Sequence, residues 1–159
     1  MIKSKIRKKI LYIRKKKNNK NIKFSFSKVF KEIKKIISKN KIIGGYYPVN
    51  FEIDIMEILQ SLEKKVGAKL SLPVIKKNNE MDFYNWSIKS LLKINKFGIP
   101  EPEEIKKVFP DLIFVPIVAF DNRLYRIGYG GGYYDRYIQK LSNKKKLFKI
   151  GIAYSCQEI

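Results

Sequence analysis

The chain reads Arg126-Ile-Gly-Tyr-Gly-Gly-Gly-Tyr-Tyr-Asp-Arg136 in the segment that is most informative about its fold. The four glycines of residues 128–132, here called the glycine loop, can adopt positive φ angles and close backbone N–H groups around an anion. Arginines flank the loop, and Asp135 offers the hard oxygen ligand that a phosphate-bound metal needs. With the rings of Tyr133 and Tyr134, this pattern predicts a nucleotide-using enzyme. A glycine-rich hairpin without a ligand is the less favoured alternative.

The segments on either side of this loop predict a strand, a turn and a helix. Upstream, the apolar and β-branched run 111–121 is long enough for one buried strand. Downstream, helical spacing relates Tyr133, Tyr134, Tyr137, Ile138 and Leu141. This order aims a helix N-terminus at phosphate. The loop nevertheless matches neither a P-loop nor the dinucleotide-binding fingerprint.

The composition bounds the class of protein. At 159 residues and 45% hydrophobic content, the chain is long enough for one compact domain with a buried core. A single cysteine, Cys156, leaves no internal disulfide, and the lack of histidine excludes histidine bases and histidine zinc sites. No apolar stretch reaches membrane-spanning length, and no signal-peptide core is evident. A cytoplasmic protein without a membrane partner is expected.

The net charge of +21 is typical of a nucleic-acid partner, but its make-up is not. Thirty of the 35 basic residues are lysines, whereas a surface selected for nucleic acid recruits arginines and stacking aromatics. We therefore expect a solvated lysine surface with weak polyanion binding at low salt and no specific nucleic-acid partner. A basic RNA-associated protein remains the alternative based on charge.

Apolar periodicity predicts alternating helices and strands. Helices are predicted over 3–17, after a cap at Ser25 or Ser27, over 54–65, and from Tyr133 to Leu141. Strands are predicted at 42–47, 68–75, 112–119 and 148–153. This order predicts a layered α/β/α single domain over 1–159, with a largely parallel, Rossmann-like sheet.

Further motifs follow one another along nearly the whole chain. They are Lys3 and Arg7 in the basic first helix, Tyr47-Pro-Val-Asn-Phe-Glu-Ile-Asp54, Leu72-Pro73, Met81-Asp-Phe-Tyr-Asn-Trp86, Phe97-Gly-Ile-Pro-Glu-Pro102, Val115-Pro-Ile-Val-Ala-Phe-Asp121, the segment 126–136, and Gly151-Ile-Ala-Tyr-Ser-Cys-Gln157. In this order and spacing they resemble the 5-formyltetrahydrofolate cyclo-ligase family, also called 5,10-methenyltetrahydrofolate synthetases. The resemblance implies cyclisation of 5-formyltetrahydrofolate to 5,10-methenyltetrahydrofolate with ATP and Mg2+, releasing ADP and phosphate. A monomer is expected.

The resemblance also implies roles for individual residues. ATP is expected at Lys3, Arg7, Arg126, Ile127, Gly128, Tyr129, Gly130, Gly131, Gly132, Tyr133 and Tyr134. The folate is expected at Tyr47, Glu52, Tyr129, Gly130, Gly131, Gly132 and Tyr133. Asp135 is the implied magnesium ligand, and Arg126, Tyr133 and Asp135 are the implied catalytic residues.

Each role has a structural alternative. Lys3 and Arg7 share a helix face and could be solvated cations, and Asp135 could cap the following helix. Glu52 suits the paired amino and ring N–H donors of a pterin, but it could instead begin a helix. The aromatic and Met residues of 81–86 could wall a pterin, although core packing is commoner at such spacing.

Two departures from the family pattern affect these expectations. The family usually has glycine where this chain has Leu124, so the turn between Asp121 and Arg126 is expected to differ in shape. Relatives also continue after the 151–157 element with a further acidic magnesium ligand and a closing strand, which this chain is expected to lack. The alternative function is therefore a truncated, non-catalytic folate- or nucleotide-binding remnant of the same fold.

Overall fold

The computed structural model describes residues 2–18 and 26–159. Its helices are α1 (Ile2–Asn18), α2 (Ser27–Ile36), α3 (Met56–Val66) and α4 (Tyr133–Ser142). Its strands are β1 (Ile42–Gly44), β2 (Lys69–Ile75), β3 (Met81–Trp86), β4 (Lys93–Ile94), β5 (Pro100–Glu101), β6 (Lys107–Val108), β7 (Leu112–Val115), β8 (Ala119–Phe120), β9 (Arg126–Ile127) and β10 (Phe148–Gly151). No helix in these described ranges is long and apolar enough to cross a membrane.

Six strands form the central sheet, in the order β10-β7-β1-β2-β3-β6. The pairings among β10, β7, β1 and β2 are parallel, and those of β2 with β3 and β3 with β6 are antiparallel. β4 with β5 and β8 with β9 form two separate antiparallel hairpins. The prediction of a single α/β domain with a largely parallel sheet is confirmed.

Alternating side chains on the strands build two cores, one on each face of the sheet. Ile43 and Phe114 pack with α2 and α3 through residues such as Leu59. Ile113 and Phe83 pack with α4 on the other face. The sheet is therefore the middle of three layers, because successive strand residues point to opposite faces.

Several predicted boundaries differ from the structure for local reasons. The strand predicted at 112–119 ends at Val115, since Pro116 has no N–H to continue the ladder. Residues 119–120 instead form β8 of a hairpin. Of the two predicted caps of α2, Ser25 lies outside the described residues, and Ser27 is the first helical residue rather than the cap.

The connections that follow the neighbouring strands β1 and β7 run to opposite faces of the sheet, and a cavity lies where they part. From β1 the chain runs through α3 to β2 on one side, and from β7 through α4 to β10 on the other. α3 and α4 cover opposite faces of the sheet. Such a change of direction between neighbouring parallel strands opens a crevice at their carboxyl ends, where α/β proteins bind ligands.

Candidate active site

A cavity of about 460 Å³ lies at the carboxyl ends of these parallel strands. Its walls come from Arg7 of α1, from the segment 46–52 after β1, from Pro116 after β7, and from the glycine loop with the first turn of α4. The β4–β5 hairpin closes one side with Phe97. Segments that are far apart in the sequence thus meet around one space.

The glycine loop needs glycine at two positions for its backbone and at a third for its packing. Gly130 and Gly132 have φ angles of 108° and 67°, in the region that side chains disfavour. A Cβ at Gly131 would lie 2.6 Å from Cε2 of Tyr133. The loop runs directly into α4, whose N-terminus has no side-chain cap. The backbone N–H groups at this helix start are suited to bind an anion.

Arginines surround this loop. The Nε of Arg7 donates to the carbonyl oxygen of Gly128 at 2.7 Å. Arg126 forms an ion pair with Asp135. Arg136 donates to the carbonyl oxygens of Gly131 and Asn79, at 2.8 and 2.6 Å. The structure thus brings Arg7 and Arg126, both expected to bind ATP, together at the loop.

Of the other residues that are expected to bind ATP, some line the cavity and others do not. Lys3 is exposed on α1 and does not line the cavity. Ile127 packs in the cluster of Ile10 and Val118 and also does not line it. Tyr133 and Tyr134 do, and the Tyr134 hydroxyl is buried without a hydrogen-bond partner in the described chain.

Asp135 is the carboxylate next to the loop, and its side chain is 71% exposed. Gly132 occupies the N-cap position of α4, and Asp135 bonds Arg126, so the capping alternative is wrong. No group of three acidic, histidine or cysteine residues within the described ranges could hold a metal. Mg2+ is commonly held by one or two carboxylates together with substrate phosphates and water. Asp135 fits one such ligand.

Glu52 lines the same cavity and bonds the glycine loop through Tyr129. Its Oε2 accepts the backbone N–H of Val49 at 2.8 Å, and its Oε1 accepts the hydroxyl of Tyr129 at 2.7 Å. α3 begins at Met56, whose N–H is bonded by Asp54, so Glu52 does not begin a helix. Burial raises the pKa of Glu52, against the lowering effects of both hydrogen bonds and of the Arg14 charge.

The backbone before Glu52 is held in an unusual conformation. Asn50 and Phe51 have φ angles of 49° and 61°, and neither is a glycine. Tyr46 anchors this segment from inside, since its buried hydroxyl donates to the carbonyl oxygen of Ile53 at 3.0 Å. Tyr47 is 36% exposed and lines the cavity as expected. Such left-handed residues persist where the surrounding structure fixes them.

Sequence reasoning missed Arg14, which is 1% exposed. Its guanidinium donates to the hydroxyl of Tyr129 and to the carbonyl oxygen of Ile117. Arg14 lies two helical turns after Arg7, so both reach the same side of α1. This seven-residue spacing was the available signal, but a run of four basic residues at 14–17 obscured it.

The predicted motif 81–86 divides between core and cavity. Met81 lines the cavity, whereas Phe83 and Trp86 are buried in the two cores. The motif forms β3, which pairs along its full length with β2. The core interpretation therefore holds for both aromatic residues.

Comparison with known proteins assigns the chain to a family. The chain matches the 5-formyltetrahydrofolate cyclo-ligase family over residues 1–159. It is 35% identical over 126 residues to the 5-formyltetrahydrofolate cyclo-ligase of Haemophilus influenzae, covering 75% of this chain and 66% of that protein. It is 33% identical over 113 residues to the Escherichia coli K12 protein of the same name, covering 67% and 61%. The matches therefore span less than two thirds of these relatives' lengths.

Two solved structures are similar to the whole chain. A 5,10-methenyltetrahydrofolate synthetase of Aquifex aeolicus superposes with a TM-score of 0.72 at 33% identity, covering 99% of this chain and 80% of that one. A synthetase of Mycoplasma pneumoniae superposes with a TM-score of 0.70 at 24% identity, covering 100% and 89%, and this likeness supports the fold alone. With the match along its full length, the chain belongs to the 5-formyltetrahydrofolate cyclo-ligase family.

Proposed function

We propose that this protein cyclises 5-formyltetrahydrofolate to 5,10-methenyltetrahydrofolate with ATP and Mg2+, releasing ADP and phosphate. The position of Tyr129 carries the proposal. Its backbone belongs to the glycine loop, and its hydroxyl bonds Glu52 at 2.7 Å. One residue thus connects the anion-binding glycine loop with the carboxylate of Glu52. A reaction that joins a triphosphate to a ring bearing N–H donors needs both.

The carboxylate of Glu52 suits the pterin ring of the folate. Val49 and Tyr129 each occupy one lone pair on a different oxygen of Glu52. A carboxylate has about four such acceptor sites. The remaining sites can accept the paired amino and ring N–H donors of a pterin. Tyr47 and Met81 supply aromatic and apolar wall beside it.

The glycine loop suits the nucleotide phosphates. The loop backbone, the start of α4, Arg7 and Arg126 would bind and orient them, because positioned donors stabilise the charge of phosphoryl transfer. Tyr133, whose ring lies under the Arg136 guanidinium, would hold the loop in shape beside the reacting groups. Lys3 is exposed and does not line the cavity, so it would reach the phosphates only if its side chain moved.

The chemistry requires activation of a poor leaving group. ATP supplies a phosphoryl group to the formyl oxygen, N10 then bonds the formyl carbon and loses its proton, and the oxygen leaves as phosphate. The chain's part is to bring the formyl group and the phosphates together and to keep water out. Asp135 would hold Mg2+ together with phosphate oxygens, which requires its pairing with Arg126 to loosen.

The test is turnover of the purified chain, followed by the absorbance of the methenyl product. Product should form only with 5-formyltetrahydrofolate, ATP and Mg2+ together. Arg126→Ala and Asp135→Asn should each lower kcat by about 10²-fold or more, the usual effect of removing a charge-stabilising group. Arg123→Ala removes an exposed arginine outside the cavity and should keep full activity. Equal rates in all variants would contradict the proposal.

A non-catalytic binding protein is the second candidate. One observation favours it, because the carboxylate meant for Mg2+ is already paired with Arg126. In that case the folded chain would bind ATP and 5-formyltetrahydrofolate in calorimetry and form no product. We further propose a cytoplasmic monomer without a specific nucleic-acid or membrane partner. Light scattering of the purified protein tests its oligomeric state.

A further inference from the structure

Arg14 is a buried cation that the proposed chemistry does not use. It does not line the cavity, and only 1% of it is exposed. Its Nε has no hydrogen-bond partner among the described residues. A buried guanidinium with incomplete hydrogen bonding is costly to stability, which raises the question of what function offsets this cost.

The hydrogen bonds of Arg14 fix the direction of a short relay. A guanidinium has donors and no acceptor. The hydroxyl of Tyr129 must therefore accept from Arg14 and donate its own proton onward. The onward acceptor is Oε1 of Glu52 at 2.7 Å. The tyrosine cannot turn its proton toward Arg14, so the bond to Glu52 has one polarity.

The charges around Glu52 give this relay an electrostatic effect. The titratable groups that face Glu52 are Arg14 from α1, Tyr46 after β1, Tyr129 from the loop and Tyr134 from α4. Among these four, Arg14 is the cation. Its charge and the Tyr129 hydrogen bond both favour the ionised carboxylate against burial.

We propose that Arg14 is the positioning residue for Glu52, acting through the Tyr129 hydroxyl. It holds that hydroxyl as a donor, and this fixes the orientation of the carboxylate and keeps it ionised for a ligand with paired N–H donors. The ligand part rests on the proposed function, in which this donor edge belongs to the folate. Arg14 touches neither the folate nor the nucleotide in this role.

A purely structural role is the competing explanation. Arg14 also donates to the carbonyl oxygen of Ile117 at 3.1 Å and so fastens α1 to the segment after β7. Loss of that bond would lower stability without changing the titration of Glu52. A measurement of the Glu52 titration therefore distinguishes the structural role of Arg14 from the positioning role.

The experiment is a carbon-13 NMR titration of the glutamate carboxyls in the free protein. The chain has nine glutamates, and the Glu52 signal is assigned by its loss in Glu52→Gln. Arg14→Met and Tyr129→Phe should each move the Glu52 titration to higher pH. In a Tyr129→Phe background, Arg14→Met should move it less than in the wild type, because the relay is already broken.

The matched control is Lys15→Met, which makes the same kind of change at the next, exposed position of α1. It should leave the Glu52 titration unchanged. Arg14→Lys keeps the charge but loses the planar fork, and it should give an intermediate titration. If Arg14→Met does not fold, Arg14→Lys and Tyr129→Phe still provide the comparison.

Ligand binding gives a second readout. Arg14→Met should weaken binding of 5-formyltetrahydrofolate at neutral pH by about tenfold, within the range for hydrogen bonds to charged groups, and partly recover at higher pH. Binding of ATP should stay close to that of the wild type. A Glu52 titration that is the same in Arg14→Met as in Lys15→Met would overturn the proposal. If the wild type binds no folate while the titrations move as stated, the proposed function fails and the relay stands.

Discussion

The ionised side chain of Glu52 places a charge inside the cavity and thereby lowers the stability of the folded protein. Its pKa is raised by burial above the ordinary value of 4.5. A carboxyl with a raised folded-state pKa stabilises below its unfolded pKa, and this contribution is lost as pH rises through the folded pKa. At neutral pH the ionised form therefore lowers the free energy of unfolding.

We accordingly expect Glu52→Gln to raise the melting temperature at neutral pH while abolishing folate binding. The gain should shrink as the pH falls through the raised folded pKa and should vanish below the ordinary value of 4.5, where the carboxyl becomes protonated in the folded and the unfolded states alike. Differential scanning fluorimetry across pH measures it. Glu103→Gln, at an exposed carboxyl, is the control and should show no gain. A lower melting temperature for Glu52→Gln at neutral pH would contradict the burial argument.

Leu124 is a second residue with an energetic cost. It has a φ of 64° and is 83% exposed, so it occupies a glycine-like conformation without compensating burial. Asp121 holds the turn, because its Oδ1 accepts the N–H groups of Arg123 and Tyr125. The leucine therefore adopts a backbone conformation that a glycine would favour.

Leu124→Gly should stabilise the protein. A left-handed L-residue costs about 1–2 kcal/mol, and the extra flexibility of glycine in the unfolded chain offsets about 0.5–1 kcal/mol of the gain. The net rise in melting temperature should be about 2–4 °C or less. Leu91→Gly removes an equally exposed leucine whose φ is not positive and should be destabilising. If both variants lose stability, the strain assigned to Leu124 is absent.

At the scale of elements, two helix ends use the same glycine conformation for different purposes. Gly67 ends α3 with a φ of 71°, and Gly132 begins α4 with a φ of 67°. A Cβ at Gly67 would lie 3.2 Å from Lys39, and one at Gly132 would lie 2.6 Å from Arg136. Both neighbours are flexible side chains, so the backbone strain dominates the cost of a substitution.

Gly67→Ala and Gly132→Ala should each lower stability by about 1 kcal/mol. Only Gly132→Ala should also weaken ATP binding and lower kcat, because α4 begins at the cavity and α3 ends away from it. Thermal melts together with isothermal titration of ATP separate the two effects. Equal ATP affinity in both variants would show that the start of α4 does not bind phosphate.

At the scale of the whole molecule, the net charge of +21 predicts contact with polyanions but no sequence preference. Binding to two unrelated single-stranded RNAs of equal length should be equally tight at low salt. For six phosphate contacts on a single strand, it should weaken by about 300-fold between about 50 and 200 mM salt. Fluorescence anisotropy measures both properties. Retention of one RNA alone at the higher salt would revive the RNA-associated alternative.

The sequence predicted the layered fold well, because hydrophobic periodicity reports which faces are buried. It failed where pairing partners decide the structure. β3 was read only as a motif, since Met81–Trp86 mixes polar and aromatic residues, and its pairing with β2 makes it a strand. The short hairpins β4–β5 and β8–β9 have too few residues to show a period.

The candidate site was predictable to a similar degree. Glycines and an adjacent Asp135 are visible in one segment, and the family resemblance indicated Glu52. Arg14 was not predictable, because neighbouring lysines share its charge and only the docking of α1 selects it. Nor did the sequence show that Tyr129 links the glycine loop to Glu52.

The cavity is completed late in synthesis, because its walls come from both ends of the chain. Arg7 and Arg14 contact residues that lie 121 and 115 positions later in the chain. During synthesis α1 therefore emerges long before its partners, and most of the stability of a helix in a protein comes from its tertiary packing. The nascent chain has no complete site until the glycine loop has been made. A ligand of this cavity can consequently stabilise the finished protein, but it cannot guide the early stages of folding.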